Sequence, residues 1–70
     1  MTLAGNLENV EICNNQFQGS TDIRVYNQGG FAPNFTNVTA HDNTYAKNAL
    51  IQFDNEADKD QITESNNTKA

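Results

Sequence analysis

The sequence predicts an all-β fold, a parallel β-helix of two to three coils with a 24–28-residue repeat. Three observations predict it. The phrase Asn9-Val10-Glu11-Ile12-Cys13-Asn14-Asn15-Gln16-Phe17 recurs 28 positions later as Asn37-Val38-Thr39-Ala40-His41-Asp42-Asn43-Thr44-Tyr45. It starts a third time as Ile62-Thr63-Glu64-Ser65-Asn66-Asn67-Thr68, where Val38 to Ile62 spans 24 residues. A second phrase, Ile23-Arg24-Val25-Tyr26-Asn27, keeps the 28-residue step to Ile51-Gln52-Phe53-Asp54-Asn55. Core positions hold register while one return loop changes length, which is how stacked repeats behave.

Residues 1–8 read as a lead-in, with Leu3 and Leu7 closing an earlier turn of structure. Val10 to Cys13 alternates apolar and polar, the period of a half-buried strand. Asn14-Asn15 breaks it, because Asn tolerates bends and left-handed backbone. Phe17 re-enters the core and Gln18-Gly19-Ser20-Thr21-Asp22 is a turn cluster. Ile23 and Val25 start a second strand, and Gln28 to Thr36 follows as a loop with the sole Pro and the Gly29-Gly30 pair. The cycle repeats with a strand at Val38–His41, a corner at Asp42-Asn43, Tyr45 inward, a turn at Ala46–Ala49 and a strand at Leu50–Phe53. Glu56–Gln61 is the shorter return loop. No stretch sustains a helical i, i+3, i+4 apolar pattern, and Asn is a poor helix former. The chain is therefore one unit, residues 1–70, with coils at 9–36, 37–61 and an incomplete 62–70.

Each coil cannot bury its apolar face alone and must stack on its neighbours. Stacking pairs like with like: Val10, Val38 and Ile62; Phe17 and Tyr45; Ile23 and Ile51; Val25 and Phe53. Asn15, Asn43 and Asn67 fall at one corner, where side-chain amides stacked coil on coil satisfy each other as a ladder. That structural role is favoured over ligand binding, since buried amides must find partners.

Composition narrows the partners. Only 36% of the residues are apolar and mean hydropathy is −0.75, lean for a free-standing core. One cysteine forms no internal disulfide. A net charge of −5, with Arg24, Lys47, Lys59 and Lys69 scattered, argues against nucleic acid. No apolar run of about 18 residues is present, so no membrane partner is expected. Met1-Thr2-Leu3-Ala4-Gly5 lacks the basic start and apolar stretch of a signal peptide. Three sequons, at Asn34, Asn37 and Asn66, are expected by chance in a chain with twelve Asn.

Val-x-Ile-x-Asn-Asn-x-Phe, the 20-to-30-residue step and the corner Asn together resemble the right-handed parallel β-helix repeats of pectate-lyase-like proteins. That superfamily includes polysaccharide lyases, polygalacturonase-type glycoside hydrolases, mannuronan epimerases and viral tailspikes. The wording of residues 9–17 and 37–45 is also similar to C-terminal coils of bacterial β-helix galactosidases acting on blood-group-type sugars. The resemblance covers residues 9–68 and rests on structural positions, and a fold does not carry its function with it. Such proteins commonly stack around ten coils, so it implies a C-terminal stretch of a longer carbohydrate-active enzyme. That protein would be extracellular or periplasmic and would act on an oligo- or polysaccharide, with its catalytic residues upstream. The alternatives are a non-enzymatic glycan-binding adhesin, tailspike or surface stalk, and a 70-residue protein that self-associates end to end.

No residue here is assigned to catalysis, and no cofactor or metal is expected. A hydrolytic pair needs two carboxyls about 5–9.5 Å apart. The candidates are Asp22, Asp42, Asp54, Glu56, Asp58, Asp60 and Glu64. Asp42 stacks with Asn14 and Asn66 and reads as a corner residue, while Glu56, Asp58 and Asp60 form a charged loop of the kind that is usually solvated. Cys13, His41 and Ser65 share one repeat position. A metal needs three or four ligands and spacing supplies two, so Cys13 and His41 read as an outward pair. No calcium-loop pattern occurs. Arg24 and Tyr26 flank Val25 and face outward, with Asp54 one coil above Tyr26. These three are the candidate sugar-binding residues, against the reading that they are ordinary surface. The Gly29–Phe35 loop, anchored by Phe31 and Phe35, reads as a return loop or as one wall of a binding groove.

Overall fold

A computed structural model describes residues 1–18, 23–27 and 29–70. Most of the turn read at residues 18–22, with candidate Asp22, and the start of the loop at residue 28 lie outside the described residues.

Among the described residues the chain is all-β apart from one short 3₁₀ helix at Glu56–Gln61. Its strands are β1 (Thr2–Leu3), β2 (Asn6–Cys13), β3 (Gln16–Phe17), β4 (Ile23–Val25), β5 (Asn34–His41), β6 (Thr44–Tyr45), β7 (Ile51–Phe53), β8 (Thr63–Ser65) and β9 (Thr68–Lys69). They form three three-stranded sheets, β1-β4-β7, β2-β5-β8 and β3-β6-β9. Every pairing is parallel. The chain thus visits the three sheets in fixed order and repeats the circuit, an arrangement compatible with a β-helix-like fold. No helix is long and apolar enough to cross a membrane among the described residues.

Register follows the repeated phrases. Val10 pairs with Val38, Phe17 with Tyr45, Ile23 with Ile51 and Val25 with Phe53. Thr39 pairs with Thr63, so the second step is shorter, as the loop arithmetic requires. Leu3, Ile12, Phe17, Ile23, Val25, Phe35, Val38, Ala40, Leu50, Ile51 and Ile62 form one core between the sheets. Burying each of the larger side chains contributes roughly 1.5–3 kcal/mol. Tyr45 and Phe53, on the last full circuit, pack against that core and stay only partly buried.

Two corners are built on left-handed Asn or Asp. Asn14, Asp42 and Asn66 all adopt left-handed backbone, with φ of 57°, 56° and 53°. This is the conformation that Asn and Asp reach at least cost among residues with a Cβ. Asn9 and Asn37 do the same, at 56° and 54°, and bend β2 and β5 in mid-course. The Asn37 side-chain amide donates to Asn9 Oδ1 at 2.9 Å, so this second corner has its own two-rung ladder.

Residues 1–8 are not a lead-in. Thr2 and Leu3 pair with Arg24 and Val25, and Asn6 to Glu8 pair with Asn34 to Thr36. The first circuit is therefore nearly complete, and the predicted loop ends earlier, at Pro33. The return segment at 56–61 is helical. Asn55 caps it, its side chain accepting from the Ala57 amide at 3.0 Å. Asp58 is buried there, not solvated. Its Oδ1 accepts from Gln61 Nε2 at 2.9 Å, and Gln61 Oε1 accepts from the Phe35 amide at 2.9 Å. Of the two Phe expected to anchor the Gly29–Phe35 loop, only Phe35 is buried; Phe31 is 81% exposed.

Candidate functional site

Alternation on β4 sends Ile23 and Val25 inward and Arg24 outward. Asp54 follows β7 directly, and the parallel register sets it one circuit above Tyr26. The three predicted residues do come together. Arg24 Nε donates to Asp54 Oδ1 at 2.8 Å and Nη2 to Oδ2 at 2.9 Å, a two-pronged ion pair. The Asn27 amide also donates to Asp54 Oδ2, at 3.3 Å. The guanidinium lies 4.7 Å from the Tyr26 ring centroid, in cation–π range. Asp54's pKa is lowered chiefly by its hydrogen bonds from Arg24, and Arg24's is raised by the same contact. Both groups are charged and mutually satisfied.

Beside this cluster runs an open groove of about 770 Å³. Its lining includes Thr2, Arg24 and Gln52, the outward ladder of the β1-β4-β7 sheet, together with Lys47, Ala49 and Glu56. Tyr26 and Asp54 are not among its lining residues.

The Asn15, Asn43 and Asn67 positions form the ladder expected of them. Asn15 donates to Asn43 Oδ1 from its backbone amide at 3.1 Å and from its side chain at 3.2 Å. Asn43 repeats both bonds to Asn67 Oδ1, each at 3.0 Å. The second side-chain hydrogen of Asn43 goes to the Ile12 carbonyl at 3.1 Å, and that of Asn67 to the Ala40 carbonyl at 3.0 Å. Asn43 is 1% exposed, and its carboxamide is fully engaged.

A second cluster sits on the outer face of the β2-β5-β8 sheet. Glu11 and Cys13 are two apart on β2 and share a face; His41 pairs with Cys13 from the next circuit. His41 Nε2 is 3.0 Å from Glu11 Oε1, and its Nδ1 is 2.6 Å from Asp42 Oδ2. Cys13 Sγ donates to Glu11 Oε1 at 3.3 Å. Facing a carboxylate on each side, the ring is stabilised as an imidazolium that donates from both nitrogens. His41's pKa is raised first by Asp42 and then by Glu11. Glu11's is lowered mainly by its hydrogen bond with His41, and Cys13's is raised mainly by its bond to the Glu11 carboxylate.

The sequence pairs Cys13 with His41 but misses Glu11 and Asp42. Glu11 pairs with Thr39 in register, so comparing equivalent positions passes over its diagonal contact with His41. The readable signal was the i, i+2 spacing of Glu11 and Cys13 set against the repeat step to His41.

Glu56 and Asp60 are exposed on the 3₁₀ helix, and Glu64 is exposed on β8, where it aligns with buried Ala40. Compared with known protein families, with curated proteins and with solved structures, the chain matches none.

Proposed function

We propose that this chain is a stretch of a right-handed parallel β-helix from a carbohydrate-active protein of the glycoside hydrolase or polysaccharide lyase type. In that protein it continues the stack and is itself catalytically silent. The observation that carries the reading is the Asn15–Asn43–Asn67 ladder, which holds successive circuits in register while every sheet keeps open outer strands. An open strand edge is a template for further pairing, and more circuits are what would cover it. The carbohydrate class is supported by the likeness of residues 9–68 to β-helix enzyme coils. Silence is supported by the site: Asp54 is bound to Arg24, and Glu11 and Asp42 to His41.

The test is solution mass and far-UV circular dichroism of the chain across concentrations, with turnover of aryl glycosides and polysaccharides assayed alongside. The expected result is strand signal that rises with association, and no turnover. A compact β-rich monomer at every concentration would overturn the stacking role. Turnover by the chain alone would overturn its silence.

The groove beside Arg24 favours a second reading, a non-enzymatic glycan-binding segment of an adhesin, tailspike or stalk. Arg24 and Tyr26 offer a donor and a ring of the kind sugars bind. Oligosaccharide binding that falls at least tenfold in Arg24→Ala and Tyr26→Ala separates this reading from the first.

A further inference from the structure

We propose that Glu11, Cys13 and His41 form a binding site for a divalent transition-metal ion of the zinc class, open to solvent at its fourth position. One ligand atom from each of the three residues lies within 4.8 Å of the other two. A tetrahedral zinc ion with bonds of about 2.0–2.3 Å holds its ligand atoms roughly 3.3–3.6 Å apart. The Glu11 oxygen already sits 3.0 Å from His41 Nε2 and 3.3 Å from Cys13 Sγ. Shifts of a few tenths of an ångström admit the ion on those two edges.

The donor set also selects the metal. Thiolate, imidazole and carboxylate together suit zinc, whereas calcium and magnesium require oxygen donors throughout. Asp42 supplies what a bare ligand triplet would lack. Its carboxylate holds His41 Nδ1 at 2.6 Å, which turns Nε2 toward Glu11 and Cys13. This carboxylate–histidine arrangement is the usual outer support of a metal-binding imidazole. Asp42 is itself fixed by its left-handed corner. The ion takes the places of the Nε2 and Sγ protons, and its two positive charges offset the thiolate and the Glu11 carboxylate. The backbone is set by neighbouring strands in register from Val10 to Cys13, so the donors stand on sheet rather than loop. The site needs only two adjacent circuits and is independent of any sugar chemistry.

The experiment is titration of the full chain with cobalt(II), followed by displacement with zinc. One equivalent per chain with a thiolate-to-cobalt charge-transfer band, bleached by zinc, is the expected result. Cys13→Ser should abolish the band, and Asp42→Asn should weaken binding about 10–100-fold while keeping it. Zinc should also protect Cys13 of the unmutated chain from alkylation. Where circular dichroism shows no strands before metal, zinc must restore them, since a site built by folding couples binding to folding. Absence of the band in the folded chain, or failure of zinc to restore strands to an unfolded one, overturns the site. So does binding that is indifferent to Cys13.

Discussion

The oxygen of the Asn43 carboxamide accepts two hydrogen bonds from Asn15, one from its backbone and one from its side chain, across a separation of 28 residues. Asn43 then donates twice to Asn67 in the same way. Asn43→Ala would take the acceptor from the exposed Asn15 and the donor from the buried Ile12 carbonyl. Stranding one buried polar group costs about 1–3 kcal/mol, so the variant should lose about 2 kcal/mol. Asn15→Ala, at the exposed end, should lose about 1 kcal/mol. Denaturant midpoints of the two variants check the ranking.

Asn14 holds its corner at φ 57°, where a Cβ is costly unless the side chain is Asn or Asp. Asn14→Val should destabilise by about 1–2 kcal/mol, and Asn14→Gly should come within a few tenths of the original. The comparison is made by thermal unfolding. Equal losses in both variants would mean that a side-chain contact, not backbone conformation, makes the corner.

The Arg24–Asp54 pair gives a signed dependence on pH. Asp54's folded-state pKa lies below its unfolded value because Arg24 hydrogen-bonds to its charged form. Its contribution is therefore present above the unfolded value, near pH 4, and disappears as pH falls through the lowered one. Asp54→Asn should be less stable than the original at pH 7, with the gap closing in that acid range. Added salt should also narrow the gap, since the pair is partly exposed. Unfolding midpoints measured from pH 7 to pH 2 decide it.

Glu64 stands on β8 in line with Ala40 and Ile12, whose side chains are buried. An inward-aligned charge on an outer strand opposes pairing with a further chain. Glu64→Val should raise the tendency to associate, seen as a larger mass at equal concentration in analytical ultracentrifugation. An unchanged mass distribution would show that this edge does not govern association.

The sequence shows register best where identical residue types recur at one step. Val10 with Val38 and Asn15 with Asn43 announce themselves. The bend at Asn9 and Asn37 does not, because it leaves the in–out alternation of Val10 and Ile12 undisturbed. Thr2–Leu3 escapes for another reason: it pairs with Arg24–Val25 at a shorter step, and two residues carry no period. Asp58 is misread as solvated because its burial depends on Gln61 and, through it, on the Phe35 amide of another circuit. Phe31 and Phe35 look alike as anchors, and only the paired register of β5 separates them. The Arg24, Tyr26 and Asp54 cluster is legible because alternation and the repeat step place all three. The His41 cluster is half legible, since its Glu11 contact runs diagonally between strands.

The asparagine ladder also gives the stack a sense of direction. At every rung the earlier Asn gives hydrogens and the later one receives them. Among the described residues Asn15 Oδ1 receives none, while Asn67 has an amide N–H that can still give. Like poles of two such chains would confront donor with donor or acceptor with acceptor. Copies meeting nose to tail, Asn67 of one against Asn15 of the next, would set donor against acceptor, a head-to-tail contact that forms a ring or an open filament according to its rotation. Where this chain self-assembles, the ladder favours a polar, head-to-tail assembly over a two-fold dimer.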